Sequence, residues 1–249
     1  MKQEMTFIKK NGMKIQGLMY LPEKREEKLP AVIFSHGFGS NFRELMHHGE
    51  GYAKSGICCL FFDFCGGGLQ SLSDGVMPEM TLRSECEDLQ TVLSCVKELD
   101  YVDPERIFLQ GESMGGLVSA LTAAKYTKDI RALILWYPAF CIPEDARIRL
   151  EKGEREVFGV TMNEAFDAEA ANIHVSKEIQ AYPSPVLIIH GTADNLVPIR
   201  YSEMAVSSYA DAKLIAIPDA GHGFDGTHSN AARKISVSFV LDHCGQQGS

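Results

Sequence analysis

Short runs of continuously apolar residues recur along the chain, and longer segments with helical spacing of apolar positions separate them. The apolar runs lie at 31–35, 57–62, 106–110, 132–136, 186–190 and 214–217, and the helical segments at 42–54, 82–99, 114–126, 199–209 and 230–241. Strands that are apolar on both faces are typical of a parallel sheet covered by helices. The alternation therefore predicts an α/β fold with a mostly parallel sheet and helices on both faces.

Two further strands are predicted at the N-terminus, at residues 5–9 and 14–20, with Asn11 and Gly12 between them. Asn-Gly between two strands is a strong signal for a β-hairpin, because both residues tolerate a positive φ. Together with the six apolar runs, the hairpin gives an eight-stranded sheet.

The segment between the strands at 132–136 and 186–190 is longer than a single crossover helix requires. We interpret residues 139–182 as a small helical cap inserted into a single domain that spans residues 1–249. Charged residues are dense from 144 to 156, which is typical of the solvent-facing side of a helix. Direct contact of some of these charges with substrate remains an open alternative.

Composition narrows the classes of partner. The 249 residues carry a formal net charge of −9, which argues against a nucleic-acid partner, because phosphate backbones are bound mainly by Lys and Arg. No apolar run approaches the roughly 20 residues of a membrane span, and the N-terminus lacks the apolar stretch of a secretory signal. We therefore expect a soluble, cytoplasmic protein, unless a signal segment has been removed. The sequence predicts no oligomeric state.

The seven cysteines are an odd number and are scattered without the spacing of a metal site. We interpret them as reduced thiols that behave as small buried apolar residues.

The strongest chemical motif is Gly-Glu-Ser-Met-Gly-Gly at 111–116, which follows one predicted strand and precedes a predicted helix. This context is that of a nucleophile elbow, a sharp turn that exposes a serine hydroxyl above the sheet. Small residues at Gly111 and Gly115 relieve crowding on either side of Ser113. The sequence therefore predicts Ser113 as a nucleophile.

A serine hydroxyl needs a general base, and His222 is the best candidate. It lies in a glycine-rich segment directly after the last predicted strand, where a short loop brings an imidazole over the carboxyl edge of the sheet. His228 and His243 fall in the final helical segment and His174 in the cap, so none of them has a comparable position.

The third group must be a carboxylate that orients the imidazole. Asp194 follows the buried strand at 186–190 and gives the order Ser, Asp, His along the chain that this type of site shows. Asp219 and Asp225 lie within three residues of His222 and compete for the role, but so short a loop would have to fold back on itself.

An oxyanion hole needs two backbone N–H donors, one of which is expected from the residue after the nucleophile, Met114. The second is expected from Phe38, in the loop His-Gly-Phe-Gly at 36–39 after the first parallel strand. His36 itself is interpreted as a buried side chain that holds this loop. The neighbouring His47 and His48 resemble metal ligands, but adjacent side chains on a helix diverge, so we predict no metal site.

Four motifs in order, at 36–39, 111–116, 190–198 and 221–222, resemble those of the α/β-hydrolase superfamily over nearly the whole chain. Within that superfamily the chain looks like small bacterial carboxylesterases of the cinnamoyl or feruloyl esterase type. Its length, the segments 63–68 and 73–75, and Pro-Ala-Phe at 138–140 carry this likeness. The resemblance implies a cap that covers the active site and shapes the acyl pocket.

These observations predict a serine carboxylic ester hydrolase that forms an acyl-enzyme, needs no cofactor and acts on small acyl or aromatic esters. Two alternatives stay open. One is a serine peptidase or aminopeptidase, since amides pass through the same kind of oxyanion. The other is a non-catalytic ligand-binding protein that has kept the fold, because fold does not fix function.

Overall fold

The computed structural model describes residues 1–23 and 28–245, and a sheet of eight strands forms its centre. The strands of this sheet are β1 Lys2–Ile8, β2 Lys14–Tyr20, β3 Leu29–Ser35, β4 Cys58–Phe62, β5 Val102–Glu112, β6 Ala132–Trp136, β9 Val186–Gly191 and β10 Ala212–Ile217. Their order is β1-β2-β4-β3-β5-β6-β9-β10; β2 runs antiparallel to both of its neighbours, and the remaining pairs are parallel. The predicted α/β fold with an eight-stranded, mostly parallel sheet is confirmed.

Helices cover both faces of this sheet. Their bounds are α1 Phe42–Leu45, α2 Gly49–Lys54, α3 Leu82–Lys97, α4 Met114–Lys125, α5 Ile142–Lys152, α6 Glu164–Ala170, α7 Val175–Ile179, α8 Arg200–Val206 and α9 Gly226–His243. Alternate residues of β3 enter two separate hydrophobic cores: Ile33 packs with residues of α3 and α4, whereas Phe34 packs with residues of α2 and α9. The interior strands β3 and β4 are therefore buried on both sides, because each side of the sheet has its own helical layer.

The N-terminal hairpin forms as the sequence predicts. β1 and β2 pair from Lys2 with Tyr20 to Ile8 with Lys14. At the turn, Gly12 has a φ of 86°, and the side chain of Asn11 accepts a hydrogen bond from the Met13 N–H at 3.1 Å.

The predicted helix at 42–54 is divided into α1, a 3-10 turn at Met46–His48, and α2. Asn41 caps the first piece, its side chain accepting from the Arg43 N–H at 3.1 Å, and the buried carboxylate of Asp63 accepts from the Phe42 N–H at 2.7 Å. The tertiary contact from Asp63 fixes the start of the helix at a point that apolar spacing does not encode.

The segment between β6 and β9 holds α5, α6 and α7 together with a two-stranded hairpin, β7 Glu156–Val157 and β8 Val160–Thr161. The prediction of a helical cap missed this hairpin, whose strands are only two residues long. Its turn residues, Phe158 and Gly159, have φ values of 48° and 81°, the left-handed conformation that two-residue hairpin loops of type I′ require.

Within the described residues, no helix combines the length and apolar character that crossing a bilayer requires.

Glu85, on α3, is a buried acid without a hydrogen bond. Its side chain is fully shielded from solvent, and neither carboxyl oxygen has a hydrogen-bond partner in the described part of the chain. Burial, together with the negative charge of the nearby Asp88, raises the pKa of Glu85 well above its usual value. Asp88 itself forms an ion pair with Lys9 and accepts from the Cys65 N–H at 2.7 Å.

We predict that Glu85→Gln stabilises the protein increasingly as pH rises. An acid whose pKa is raised by folding loses stability as pH climbs from its unfolded pKa, about 4.3 for Glu, towards its folded pKa. The amide lacks that loss, so its free energy of unfolding should exceed that of the wild type at pH 8 by more than at pH 5. Urea unfolding at the two pH values measures the difference. Glu87→Gln, at an exposed position of the same helix, is the matched control; a Glu85→Gln difference that does not change with pH would contradict the assignment.

Candidate active site

Ser113 stands at a sharp turn between β5 and α4, in a backbone conformation rare for residues other than glycine, with φ 53° and ψ −119°. The turn leaves no room for side chains on either side. A Cβ at Gly111 would lie 2.2 Å from the Gly115 carbonyl oxygen, and one at Gly115 would lie 2.3 Å from the Ser35 carbonyl oxygen. The steric reason expected for these two glycines is confirmed.

The three side chains predicted to act together are in hydrogen-bond contact. Ser113 Oγ lies 2.9 Å from His222 Nε2, and His222 Nδ1 lies 2.8 Å from Asp194 Oδ2. Because a carboxylate only accepts, Nδ1 donates to it, which leaves Nε2 free to accept the serine proton. The three residues come from loops after β5, β9 and β10, at the carboxyl edge of the parallel sheet.

Asp194 is held ionised by several donors. Its Oδ2 also accepts from His190 Nε2 at 3.1 Å, and its Oδ1 accepts from the backbone N–H groups of Leu196 and Val197 at 3.0 and 2.8 Å. Burial alone would raise the pKa of this carboxyl, but the hydrogen bonds from His190, His222 and Val197 outweigh it and hold the pKa well below its usual value. Asp194 is therefore held as a carboxylate.

The competing residues lie elsewhere. Asp219 is exposed, and its backbone N–H donates to Thr192 Oγ1. Asp225 contacts His228 at 3.1 Å, and His243 binds the Phe239 carbonyl of its own helix. The geometry favours Asp194 over both alternative carboxylates.

His190 contacts Asp194, and the sequence analysis assigned it no role of its own. It is fully buried at the end of β9; its Nδ1 accepts from Ser202 Oγ at 2.7 Å, and its Nε2 donates to the Val197 carbonyl as well as to Asp194. It thus fixes the loop that carries the carboxylate. Its position at the end of a buried strand, four residues before Asp194, was the signal in the sequence.

The loop at 36–39 runs beside the serine. A Cβ placed on Gly37 would lie 3.2 Å from Ser113 Cβ, so the loop backbone approaches the nucleophile closely. Met114 is the first residue of α4, where N–H groups have no intrahelical acceptor. In the described residues, neither Phe38 nor Met114 is the donor of a backbone hydrogen bond outside regular helices and strands. Phe38 and Met114 line the same cavity as Ser113.

His36 supports this loop, as expected. It is fully buried, its Nδ1 donates to the Gly37 carbonyl at 2.8 Å, and its Nε2 accepts from the Phe64 N–H at 3.2 Å. Burial lowers the pKa of His36, so the ring is kept neutral and able to accept.

His47 and His48 do not diverge as the helical spacing suggested. Their ring centroids lie 3.8 Å apart, in the 3-10 turn at Met46–His48. Residues 1–23 and 28–245 contain no group of three or more His, Cys, Asp or Glu side chains arranged to hold a metal ion. All seven cysteines are free thiols.

A cavity of about 260 Å³ opens beside Ser113, beneath the segment 139–182. Phe38 and Met114 line its inner end, and Val157, Phe158 and Phe166 form an apolar wall. The ring of Phe158, at the tip of the hairpin, lies 5.8 Å from the ring of Phe38 and is largely exposed.

The charged run at 144–156 lies only partly in solvent. Asp145, Arg149 and Glu156 line the cavity, so contact of some charges with a substrate is geometrically open. Arg149 is already paired, since its guanidinium donates to both carboxylate oxygens of the buried Asp167 at 2.6 to 3.1 Å. This pair joins α5 to α6 and gives the cavity wall a fixed position.

Comparisons with known proteins agree with this architecture. The sequence model of the family described as "Serine aminopeptidase, S33" matches residues 26–165, and that of "TAP-like protein" matches residues 163–244. The structure of Est1E from Butyrivibrio proteoclasticus with bound ferulic acid is 28% identical, covers 96% of this chain and 99% of that chain, and superimposes with a TM-score of 0.85.

Among curated sequences, the uncharacterized protein YfhR of Escherichia coli O157:H7 is 27% identical over 246 residues, which cover 96% of this chain and 80% of YfhR. The quorum-quenching protein AidA of Acinetobacter baumannii is 30% identical over 116 residues, 46% of this chain and 37% of AidA. With a family model that matches more than half of its length and with close structural neighbours of the same architecture, the chain belongs to the serine aminopeptidase S33 family of α/β hydrolases.

Proposed function

We propose that this hydrolase is a serine carboxylic ester hydrolase that acts through an acyl-enzyme on small acyl or aromatic esters of the cinnamoyl and feruloyl kind. One observation carries the proposal: the continuous hydrogen-bonded chain from Ser113 Oγ through the imidazole of His222 to the carboxylate of Asp194. A neutral hydroxyl is a poor nucleophile, and this chain provides the base that activates it.

The reaction begins when Ser113 Oγ attacks the ester carbonyl carbon while its proton passes to His222 Nε2. The imidazolium that forms is stabilised by the charge of Asp194 across the 2.8 Å contact. The negative charge on the carbonyl oxygen is received by the N–H groups of Phe38 and Met114, at the N-terminus of α4, where the helix dipole is favourable.

The tetrahedral intermediate collapses as the bond to the alcohol oxygen breaks and Nε2 returns the proton to that oxygen. Water then gives a proton to His222, adds to the acyl carbon and, after a second collapse, releases the carboxylic acid and restores the serine hydroxyl. No step of this sequence needs a cofactor.

The substrate class is proposed from the cavity and from the similarity to Est1E. A cavity of about 260 Å³ with an aromatic and aliphatic wall suits a compact apolar acyl group. Est1E, at 28% identity over nearly the full length of both chains, has been solved with ferulic acid bound. The physiological partner is accordingly proposed to be a small-molecule ester.

A serine aminopeptidase is the second candidate, favoured by the description of the matching family. An amide passes through the same tetrahedral oxyanion, so the geometry of the three side chains serves either bond.

We predict that Ser113→Ala abolishes hydrolysis of p-nitrophenyl acetate and labelling by a fluorophosphonate probe, with thermal unfolding kept close to that of the wild type. Ser94→Ala, at an exposed position on α3, is the control and should keep full activity. Labelling that persists in Ser113→Ala would contradict the proposed nucleophile, and a wild type that resists the probe would favour a non-catalytic protein.

Asp194→Asn should lower kcat by a factor on the order of 10⁴, because the amide no longer fixes the imidazole tautomer or stabilises its charge. The comparison is Asp219→Asn, which alters the exposed neighbouring carboxylate and should change kcat by less than about twofold. Equal effects of the two substitutions on kcat would remove Asp194 from the mechanism.

An ester should be turned over faster than its matched anilide. The measurement compares kcat/KM values, because an enzyme discriminates between substrates by the ratio of these values. We expect kcat/KM to be higher for an acyl p-nitrophenyl ester than for the p-nitroanilide of the same acid. Methyl ferulate should also be hydrolysed. A higher kcat/KM for an amino-acid anilide would establish the aminopeptidase alternative instead.

A further inference from the structure

Glu112, the residue before the nucleophile, has a carboxylate that the mechanism above does not use. It is the last residue of β5, and its side chain is only 13% exposed. A carboxylate at this depth is costly unless other groups hydrogen-bond to it. Its contacts therefore indicate what it does.

The side chain of Glu112 has one short partner. Tyr137 Oη donates to Oε2 at 2.5 Å, whereas His48 Nε2 lies 3.5 Å from Oε1, which has no hydrogen-bond partner in the described part of the chain. The phenol of Tyr137 is thus the principal group that Glu112 holds.

Tyr137 is itself in a strained position. It follows β6 directly, its φ is 36°, it is almost completely buried, and its N–H donates to the Ile189 carbonyl at 2.8 Å. A bulky residue with positive φ is strained and persists only where its surroundings determine it. The bond to Glu112 fixes the far end of the ring in this conformation.

The ring of Tyr137 lies against the imidazole of His222, with centroids 4.7 Å apart. Phe224 packs edge-on against the same tyrosine at 4.7 Å. The loop that carries His222 has Gly223 in the left-handed region and exposed glycines on both sides of the histidine, so its backbone restrains the imidazole little. In the acyl-enzyme the serine hydroxyl no longer donates to Nε2, so contacts other than Ser113 must then hold the ring in place.

We propose that Tyr137, anchored by Glu112, is a positioning residue that holds the His222 imidazole in line with Ser113 and Asp194. This inference rests on the proposed esterase function. The imidazole of His222 packs against the phenol ring of Tyr137, and the hydrogen bond to the Glu112 carboxylate keeps that ring in position. A displacement of the base of about 1 Å is enough to lower a rate by about 10²-fold.

The test measures kcat and KM for p-nitrophenyl acetate in four variants. Tyr137→Leu removes the ring and should lower kcat by about 10- to 100-fold with KM changed less than about twofold. Tyr137→Phe keeps the ring but loses the anchor and should show a smaller fall, about fivefold. Glu112→Leu should resemble Tyr137→Phe, whereas Glu112→Gln keeps an acceptor oxygen for the phenol and should lose no more than about threefold.

The chain offers a matched control in Tyr201, whose hydroxyl donates to Glu144 at 2.5 Å, away from His222. Tyr201→Phe should leave kcat unchanged. Thermal unfolding checks that each variant is folded, and the total amount of enzyme labelled by the fluorophosphonate probe is used to calculate its kcat. If Tyr137→Leu does not fold, the comparison of Tyr137→Phe with Tyr201→Phe decides.

A wild-type kcat in Tyr137→Phe and Tyr137→Leu, or a change in KM alone, would overturn this inference while the esterase function stands. Absence of turnover by the wild type would overturn the proposed function, and this inference with it.

Discussion

The imidazole of His222 is in contact with two groups that lie far from it in sequence: it donates to Asp194 and accepts from Ser113, over 2.8 and 2.9 Å. Each contact constrains the other, because the carboxylate fixes which nitrogen carries a proton and so makes the opposite nitrogen a base. The chemistry of the site depends on this one ring, and much of the surrounding structure restrains the groups it touches.

The sheet supplies the geometry. Loops after β5, β9 and β10 leave the same carboxyl edge, so residues 113, 194 and 222 meet there. The elbow carries strain in Ser113, which neighbouring glycines make sterically possible, and His190 with two backbone N–H groups keeps Asp194 ionised and in place. Tyr137 and Glu112 extend the same restraint to the other side of the imidazole. The cavity beside the serine is walled by a segment in which the Arg149–Asp167 pair joins α5 to α6.

Much of this arrangement could be predicted from the sequence, because local motifs encode it. Apolar runs identified six of the strands, the Asn-Gly pair identified the hairpin that adds the other two, and the glycines around Ser113 identified the elbow. The positions of Asp194 and His222 after predicted parallel strands were sufficient to bring them to one edge. The roles of His190 and Tyr137 could not be predicted, because they depend on side chains that meet only after the strands are placed in order. The division of the helix predicted at 42–54 could not be predicted for the same reason. Asp63, which is 21 residues away in sequence, accepts a hydrogen bond from the Phe42 N–H at the start of α1. The strands of the hairpin in the cap are only two residues long, too short to show an alternation of apolar and polar residues.

The central claim, that an ester is cleaved by transfer of its acyl group to Ser113, is tested most directly by trapping that intermediate. An acid quench during the first turnover of a slowly deacylating ester, followed by peptide mass mapping, should find the acyl mass on the peptide that contains Ser113. Ester turnover with the acyl group on another residue, or with no acyl adduct at any quench time although the alcohol is released in a burst, would contradict the account.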